Sequence, residues 1–316
     1  MRFAPPPGLV PGLLALLPCL TADCPPVGGQ AVMEGVMMRN GDTYGLAVRR
    51  PDGVIRAQRL PWFSLTRHAW LKKPFVRGFP VLLETLVNGI QALNRSVEAA
   101  AQGEEEELSG WHLALSLGLA LVMAVALFVV APHLLSLVML WLHLGGDVEG
   151  LSFHLWDGFF KCCIFMGYIR LISYVPDIRR VFQYHGAEHK TIACYEAGDA
   201  LTVENVRKYT RFHPRCGTSF LILVVIVSVF LYSVLPWSST GLRVVFKLLL
   251  LPVVMGISYE LLKWCGRSDN LATRIIRQPG IWVQHLTVFE PDDSMIEVAI
   301  AAVTPVLPED PEDGRW

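Results

Sequence analysis

Two long apolar runs without a charged residue constrain this chain more than any other feature. They are residues 113–131, LALSLGLALVMAVALFVVA, and residues 218–236, TSFLILVVIVSVFLYSVLP. A helix of about 20 apolar residues spans the hydrocarbon core of a bilayer, which is roughly 30 Å thick. A buried core helix is the alternative for any single run. The length and lack of charge of these two runs favour lipid, so they predict a membrane protein.

Two further apolar runs, residues 155–174 and 244–262, contain charged residues, so a core helix stays an alternative for both. We expect Asp157 and Lys161 to form an ion pair within their helix, because they are four residues apart. The apolar character of the first run continues from Pro132 to Leu142, either as more helix or as a short re-entrant piece. The prediction is a mainly α, polytopic membrane protein with about four transmembrane helices.

The cations of the short loops predict the orientation. Residues 176–216, between the second and third spans, contain seven Lys and Arg residues, whereas the loop at 143–152 contains none. Lys and Arg are enriched on the cytoplasmic side, so the central loop and both termini are predicted to be cytoplasmic. The formal net charge of −1 gives no field that attracts nucleic acid. The predicted partners are the lipid bilayer and a membrane-associated substrate or protein.

Residues 28–110 are predicted to form a small N-terminal α+β cytoplasmic domain. Two β-favouring runs, TYGLAVRR and VIRAQRLP, flank Pro51-Asp52-Gly53, which is typical of a β-hairpin. Aliphatic residues recur at helical spacing over residues 80–98, so an amphipathic helix either packs on the domain or lies at the membrane surface. Residues 1–27 resemble a signal peptide, but prolines interrupt the apolar run, so we expect a poorly ordered extension.

The glycine-rich stretch GGQAVMEGVMMR at residues 28–39 combines backbone freedom with polar groups. Its glycines allow close backbone approach, and Gln30, Glu34 and Arg39 provide polar side chains. It is not a P-loop, because no Gly-Lys-Ser/Thr follows. We predict a loop that folds against the central segment.

The strongest candidate for chemistry is the stretch Tyr184-His185-Gly186-Ala187-Glu188-His189. His185 and His189 are four residues apart, so their imidazoles share one face of a helix and could hold a divalent metal, with Zn²⁺ the first candidate. Glu188 leans over the same face and is the candidate catalytic base, in the His-x-x-Glu-His order of inverzincin-type metalloproteases. The alternative is a pair of interfacial histidines hydrogen-bonded to Glu188.

Further metal ligands would have to come from elsewhere in the chain. His213 and Cys216 lie beside a Pro turn just before the third span, and Glu260 lies near the cytoplasmic end of the fourth. Glu260 is a functional candidate because of its depth, with an ion pair to Lys263 or a loop arginine as the alternative. Four ligands drawn from the two histidines, His213 and Cys216 would make a closed, structural site. Three ligands plus water, with Glu188 free, would make a catalytic one.

The C-terminal part contains Pro291-Asp292-Asp293 followed by SMIEVAIAAV, which predicts a capped helix. Residues after 304 are rich in Pro and acidic residues and are predicted to be disordered. The acidic run at 104–107 is predicted to be a solvated linker. The predicted divisions are residues 1–27, 28–110, 111–175, 176–217, 218–264, 265–303 and 304–316.

Three stretches resemble the YqhQ-like bacterial membrane proteins. They are GGQAVMEGVMMR at 28–39, RRVFQYHGAEHKTIACYE at 179–196 with HPRCGTSF at 213–220, and PG-x-x-x-Q-x-LT…EP…EVAI at 279–300. The resemblance covers residues 28–303 and implies a multi-pass protein of the bacterial cytoplasmic membrane. The family has no established activity and is described as predicted metal-dependent enzymes, an inference from the same His and Glu residues.

Two functions compete at this stage. The first is a metal-dependent hydrolase at the cytoplasmic membrane face, with His185 and His189 as ligands, Glu188 as base and a third ligand from elsewhere. The second is a non-catalytic membrane scaffold or assembly factor in which the same residues are structural. Transport is a weaker third option, because four spans are few and charges within them are sparse.

Overall fold

The computed structural model describes residues 27–100, 110–144, 150–233 and 240–307. Three of the sequence predictions concern residues outside these ranges. They are the N-terminal extension up to residue 26, the acidic linker at 104–107 and the end of the tail from residue 308.

A four-stranded antiparallel sheet opens the described chain. Its strands follow one another in the order β1 (Gly28–Val32), β2 (Gly35–Asn40), β3 (Thr43–Arg49) and β4 (Ile55–Pro61). The predicted hairpin is confirmed, since β3 pairs with β4 across the Pro-Asp-Gly turn. The prediction of a loop over residues 28–39 is wrong. This stretch forms β1 and β2, joined by a tight turn in which Glu34 adopts a positive φ of 49°.

Successive side chains of a strand point to opposite faces, and both faces of this sheet are covered. Met38 and Ala47 pack against the helix pair that contains Tyr184 and Met295. Met37, Leu46 and Trp62 pack under the N-terminal helix around Ala92. The glycine-rich stretch therefore forms a pair of strands that are buried on both faces, which explains its run of large apolar residues.

Helix α1 (Gly78–Ala100) covers the second face of the sheet with its polar side. Glu84 and Asn88 are fully buried. A carboxylate oxygen of Glu84 accepts from the backbone N–H of Thr66 at 2.6 Å, and Asn88 exchanges two hydrogen bonds with the backbone of Phe63. The apolar residues Leu86, Ile90, Leu93 and Val97 are instead between 41% and 55% exposed. The helix thus packs on the domain, which is one of its two predicted placements, but it does so with its polar face and not with its apolar stripe.

The remaining helices follow in chain order. They are α2 (Gly110–Val125), α3 (Ala131–Trp141), α4 (Leu151–Ile172), α5 (Pro176–Glu196), α6 (Val203–Arg207), α7 (Gly217–Ser233), α8 (Thr240–Arg267), α9 (Leu271–Thr287) and α10 (Asp293–Val303).

The first apolar run continues as helix past Pro132, as one of its two predicted forms requires. A π-helical turn, Ala126–Val130, joins α2 to α3. Proline lacks an N–H, and its ring crowds the carbonyl four residues earlier. The wider turn before Pro132 leaves room for that ring, which is a common use of π-turns in helices.

Two helices of the described chain are long and apolar enough to cross a membrane, Gly118–Trp141 and Leu249–Arg267. A third candidate arises if α4 and α5, which meet at an angle of 105°, are counted as one broken span. Helix α7 is apolar but has 17 residues in its described part. By helix length and composition the structure therefore has two or three candidate spans, where the sequence predicted about four.

The predicted ion pair within α4 is confirmed. The Lys161 ammonium lies 2.5 Å from the carboxylate of Asp157, one helical turn away. This pairing lowers the cost of placing both charges in an apolar helix.

The C-terminal segment returns to the sheet. The Asp292 side chain caps α10 by accepting from the backbone N–H of Met295 at 3.0 Å, as predicted. Thr304–Val306 form a short 3₁₀ turn, and Asn40 of β2 donates to the carbonyl of Val306. The disorder predicted from residue 304 thus does not begin before residue 307, because Val306 is buried against the sheet.

Candidate metal centre

Helix α5 supplies the histidines of the site. Pro176 occupies its first turn, where the missing N–H costs nothing, and the residue before it is extended, as a proline requires. The helix then runs into the domain and is largely buried from Tyr184 to Cys194. His185 and His189 lie one turn apart, and their ring centroids are 4.4 Å from each other.

Cys216 reaches the same point from the turn that precedes α7. Its Sγ lies 3.3 Å from Nε2 of His185. One ligand atom from each of His185, His189 and Cys216 lies within 4.8 Å of the other two. For tetrahedral Zn²⁺, typical Zn–N and Zn–S lengths require an N···S separation of about 3.6 Å. The observed His185–Cys216 distance is close to this value, so the donor set fits zinc.

Backbone carbonyls hold both imidazoles in a ligand-ready tautomer. Nδ1 of His185 donates to the carbonyl of Thr287 at 3.0 Å, and Nδ1 of His189 donates to the carbonyl of Arg211 at 2.6 Å. A carbonyl can only accept, so Nδ1 carries a proton in each ring. Nε2 is then the atom left to bind a metal, once it gives up any proton that it shares with the Cys216 sulfur. Metal-ligating histidines are commonly oriented by such a bond from the other ring nitrogen.

The three groups alter one another's protonation. Burial alone would raise the pKa of the Cys216 thiol, but the imidazoles of His185 and His189 hold it well below its usual range. Burial would lower the pKa of His185, but the Cys216 sulfur outweighs burial and raises it to about 9. Burial lowers the pKa of His189. The two imidazoles thus favour the thiolate form of Cys216, which is the form that binds metals.

Glu188 is buried beside this group. Gly29 of β1 lies opposite it, where a Cβ would be 2.8 Å from both the Oε1 of Glu188 and the carbonyl oxygen of Met37. Its Oε2 has no hydrogen-bond partner among the described residues. Burial raises the pKa of Glu188 to about 7. The structure thus places the predicted base where it can exchange a proton near neutral pH.

His213 lies next to the histidine pair but faces another partner. Its ring centroid is 5.6 Å from that of His189. Nε2 of His213 lies 3.5 Å from a carboxylate oxygen of Glu196, which also pairs with Arg215. The Gln284 side chain bonds both the N–H and the carbonyl of His213, at 2.9 and 2.8 Å. Of the predicted ligands, His213 is adjacent to the three-ligand group without belonging to it.

Glu260 is not brought to this group. Both of its carboxylate oxygens accept from the guanidinium of Arg77, at 2.7 and 2.6 Å. The pair joins α8 to the segment before α1. The alternative role of Glu260, an ion pair, is the one that the structure displays, although with Arg77 rather than with Lys263 or a residue of the central loop.

A cleft of about 500 Å³ opens over the site. Its walls come from β1, β2, α1, α5, α8 and the turn before α7. His185, Glu188, His189 and Cys216 line it, together with Arg39 and Tyr259. Sequence reasoning did not place Tyr259 in the cleft. It also missed the carbonyls of Thr287 and Arg211, because backbone acceptors leave no residue-type signal. It noted Arg39 as a polar group without a role.

Comparisons with known proteins agree with the resemblance drawn from the three motifs. The model of the family described as "Protein of unknown function (DUF1385)" matches residues 73–309. The chain is 38% identical over 300 residues to "Uncharacterized protein YqhQ" of Bacillus subtilis (strain 168), covering 90% of this chain and 92% of that protein. No solved structure matches the chain. The chain therefore belongs to the DUF1385 family, in agreement with its YqhQ-like motifs.

Proposed function

We propose that this protein is a metal-dependent hydrolase that acts at the cytoplasmic face of the bacterial inner membrane. The observation that carries the proposal is the convergence of two imidazoles, each oriented through its Nδ1, with one cysteine sulfur. His185, His189 and Cys216 come from two separate segments, and their ligand atoms lie within 4.8 Å of one another. The buried carboxyl of Glu188 lines the same cleft, and its Oε2 has no hydrogen-bond partner in the part of the chain that the structure describes.

The residues of the cleft have separate tasks in this proposal. His185, His189 and Cys216 would hold the metal, and the carbonyls of Thr287 and Arg211 keep the two rings in place. A bound Zn²⁺ would supply Lewis-acid chemistry for hydrolysis. Glu188 accepts a proton from the attacking water and later gives it to the leaving group, which is general acid–base catalysis.

Two observations favour a catalytic site over a closed structural one. Structural zinc sites have four protein ligands, whereas catalytic ones have three and an open position. His213, the predicted fourth ligand of a closed site, has its Nε2 turned to Glu196 and its backbone held by Gln284. The cleft over the three ligands leaves space for a substrate.

The membrane setting is part of the proposal. Residues Leu119, Leu121 and Val122 of the first candidate span are more than 60% exposed, which suits contact with lipid. We take α7 and α4 as the remaining two of four spans, with both termini and α5 on the cytoplasmic side. This orientation places the cation-rich residues 176–216 where the charge rule expects them.

Helix α1 supports the same arrangement. Its apolar stripe is exposed while its polar face is buried, which is the reverse of a helix that packs only on a soluble domain. Gly78 at its start approaches the backbone of Met255 on α8 so closely that a Cβ there would lie 2.6 Å from that carbonyl. The stripe therefore begins beside a candidate span, and we place it in the membrane interface.

The test separates catalysis from metal binding. The variants are expressed in a bacterial strain that lacks its own copy of the gene. Glu188→Gln should retain zinc but fail to restore the wild-type lipid and metabolite profile. Glu204→Gln, an exposed change on α6, is the matched control and should restore the wild-type profile. If Glu188→Gln also restores that profile, the hydrolase proposal fails and the scaffold alternative is favoured.

A further inference from the structure

Arg39 is a half-buried cation that lines the cleft and forms no salt bridge with the described residues. Its guanidinium stacks on the indole of Trp62, 4.0 Å from the ring centroid, and its Nε donates to the carbonyl of Gly41 at 3.0 Å. In the described part of the chain no carboxylate lies within 4.0 Å of its nitrogens, and Glu84 and Asp42 interact with it only over a longer distance. Several other arginines of the domain do have such partners, namely Arg77, Arg180 and Arg215.

The two terminal nitrogens of Arg39 therefore have no hydrogen-bond partner among the described residues, and the side chain lines the cleft. Removing a charge from water is costly unless a partner compensates for it. The planar guanidinium matches the oxygens of a phosphate or carboxylate with two parallel hydrogen bonds. Stacking on Trp62 fixes the plane of the group, so little side-chain entropy remains to be lost when an anion binds.

Two further groups of the cleft suit an anion. Tyr259 of α8 lines the same cleft, and its hydroxyl has no hydrogen-bond partner among the described residues. The phenol lies close enough to interact electrostatically with Arg39. Gly217, the first residue of the 17-residue helix α7, also lines the cleft. The N-terminus of a helix favours negative charge through its free N–H groups.

We propose that Arg39 and Tyr259 form an anion-binding subsite that holds a phosphate group of the substrate in the cleft beside the three-ligand group. The substrate of the proposed hydrolase would then carry a phosphate group. The reaction of this substrate rests on the proposed function, whereas the binding of phosphate at the subsite does not. Phosphate is favoured because the cleft is walled by α8 and the start of α7, at the membrane end of the domain where lipid headgroups lie.

The first arm of the test measures binding of inorganic phosphate to the full chain, treated with a chelator and held in a phosphate-free maltoside detergent. Arg39→Gln should weaken binding about tenfold to a hundredfold, the range expected for charge-assisted hydrogen bonds. Tyr259→Phe, which keeps the ring, should weaken it severalfold. Arg59→Gln, an exposed arginine on β4, is the matched control and should bind as the wild type does.

The second arm identifies the source of the phosphate. Dihexanoylphosphatidic acid should bind more tightly than inorganic phosphate if the group belongs to a lipid headgroup, and equally if it belongs to a soluble ester. Either result supports the subsite, provided that binding depends on Arg39. Binding that is unchanged in both Arg39→Gln and Tyr259→Phe, or no binding to the wild type, overturns it.

The outcome is independent of the hydrolase proposal. Phosphate binding that depends on Arg39 in a protein without zinc would leave the subsite standing and remove the metal chemistry. Zinc binding together with phosphate binding that does not depend on Arg39 would leave the metal site standing and remove the subsite. Arg39→Lys guards against misfolding, because it retains the charge and should bind with an affinity between those of the wild type and Arg39→Gln.

Discussion

Replacing Gly186 by alanine should damage the metal site without touching a ligand. Gly186 directly follows His185 in the His-x-x-Glu-His stretch of α5, at the point where the backbone of Phe289 crosses the helix. A Cβ on Gly186 would lie 2.0 Å from the carbonyl oxygen of Phe289. Ordinary contact begins near 3.4 Å, so the crossing segment has to move by about 1.4 Å, a distance that well-packed cores do not absorb freely.

That movement reaches His185 through Thr287. The carbonyl of Thr287, two residues before Phe289, accepts the 3.0 Å hydrogen bond that fixes the His185 ring. Loss of such an orienting bond typically lowers metal affinity by about 10- to 100-fold, or roughly 1.4–2.7 kcal/mol. The overpacking itself should reduce the free energy of unfolding by about 1–3 kcal/mol.

A competition titration with a chromophoric zinc chelator measures the affinity, and thermal unfolding in detergent measures the stability. Gly167→Ala is the matched control, because Gly167 also lies within a helix and a Cβ there would meet nothing within 4 Å. It should leave zinc affinity unchanged and not lower stability. A Gly186→Ala protein with wild-type zinc affinity would refute the reasoning that the carbonyl of Thr287 orients the ligand.

Two further predictions concern the contacts that join the domain to its surroundings. Alanine substitutions of Arg77 and Glu260 should show a coupling of about 1–3 kcal/mol in a double-mutant cycle of unfolding, because each side chain is the other's bidentate partner; additive effects would contradict this. Burial alone would raise the pKa of Glu84, but hydrogen bonds led by that from Thr66 hold it below 4.5. Ionised Glu84 therefore adds stability above pH 4.5, and this stability is lost as the pH falls through the lower pKa of Glu84 in the folded state. Glu84→Gln should thus show a smaller loss of thermal stability in acid. Equal pH profiles for the variant and the wild type would contradict this.

The parts of the fold that sequence could predict are those with a local cause. The Pro-Asp-Gly turn determines the β3–β4 hairpin, and Asp292 caps α10 through its neighbour three residues on. The spacing of His185 and His189 brings the rings together because one helical turn separates them. Each of these signals is contained within a few residues, so no knowledge of the tertiary structure is needed.

The parts that sequence missed depend on distant partners. The polar face of α1 is buried because Glu84 and Asn88 bond the segment around Phe63 and Thr66, whereas pattern reasoning assumes that polar residues face water. Glu260 was a metal-ligand candidate because its partner Arg77 is far away in the chain. The glycines of β1 and β2 resembled a loop, although a Cβ on Gly29 would lie 2.8 Å from both Glu188 and the carbonyl oxygen of Met37.

The zinc content of the purified protein tests the central claim most directly. Elemental analysis of protein isolated without a metal-affinity step should give about one zinc per chain for the wild type, since a three-ligand site holds one ion. Cys216→Ser and His189→Ala should each lose most of it, while Cys194→Ser, a buried cysteine of α5 outside the three-ligand group, should keep it. A wild-type protein without stoichiometric metal, or a Cys216→Ser protein that retains it, would contradict the account.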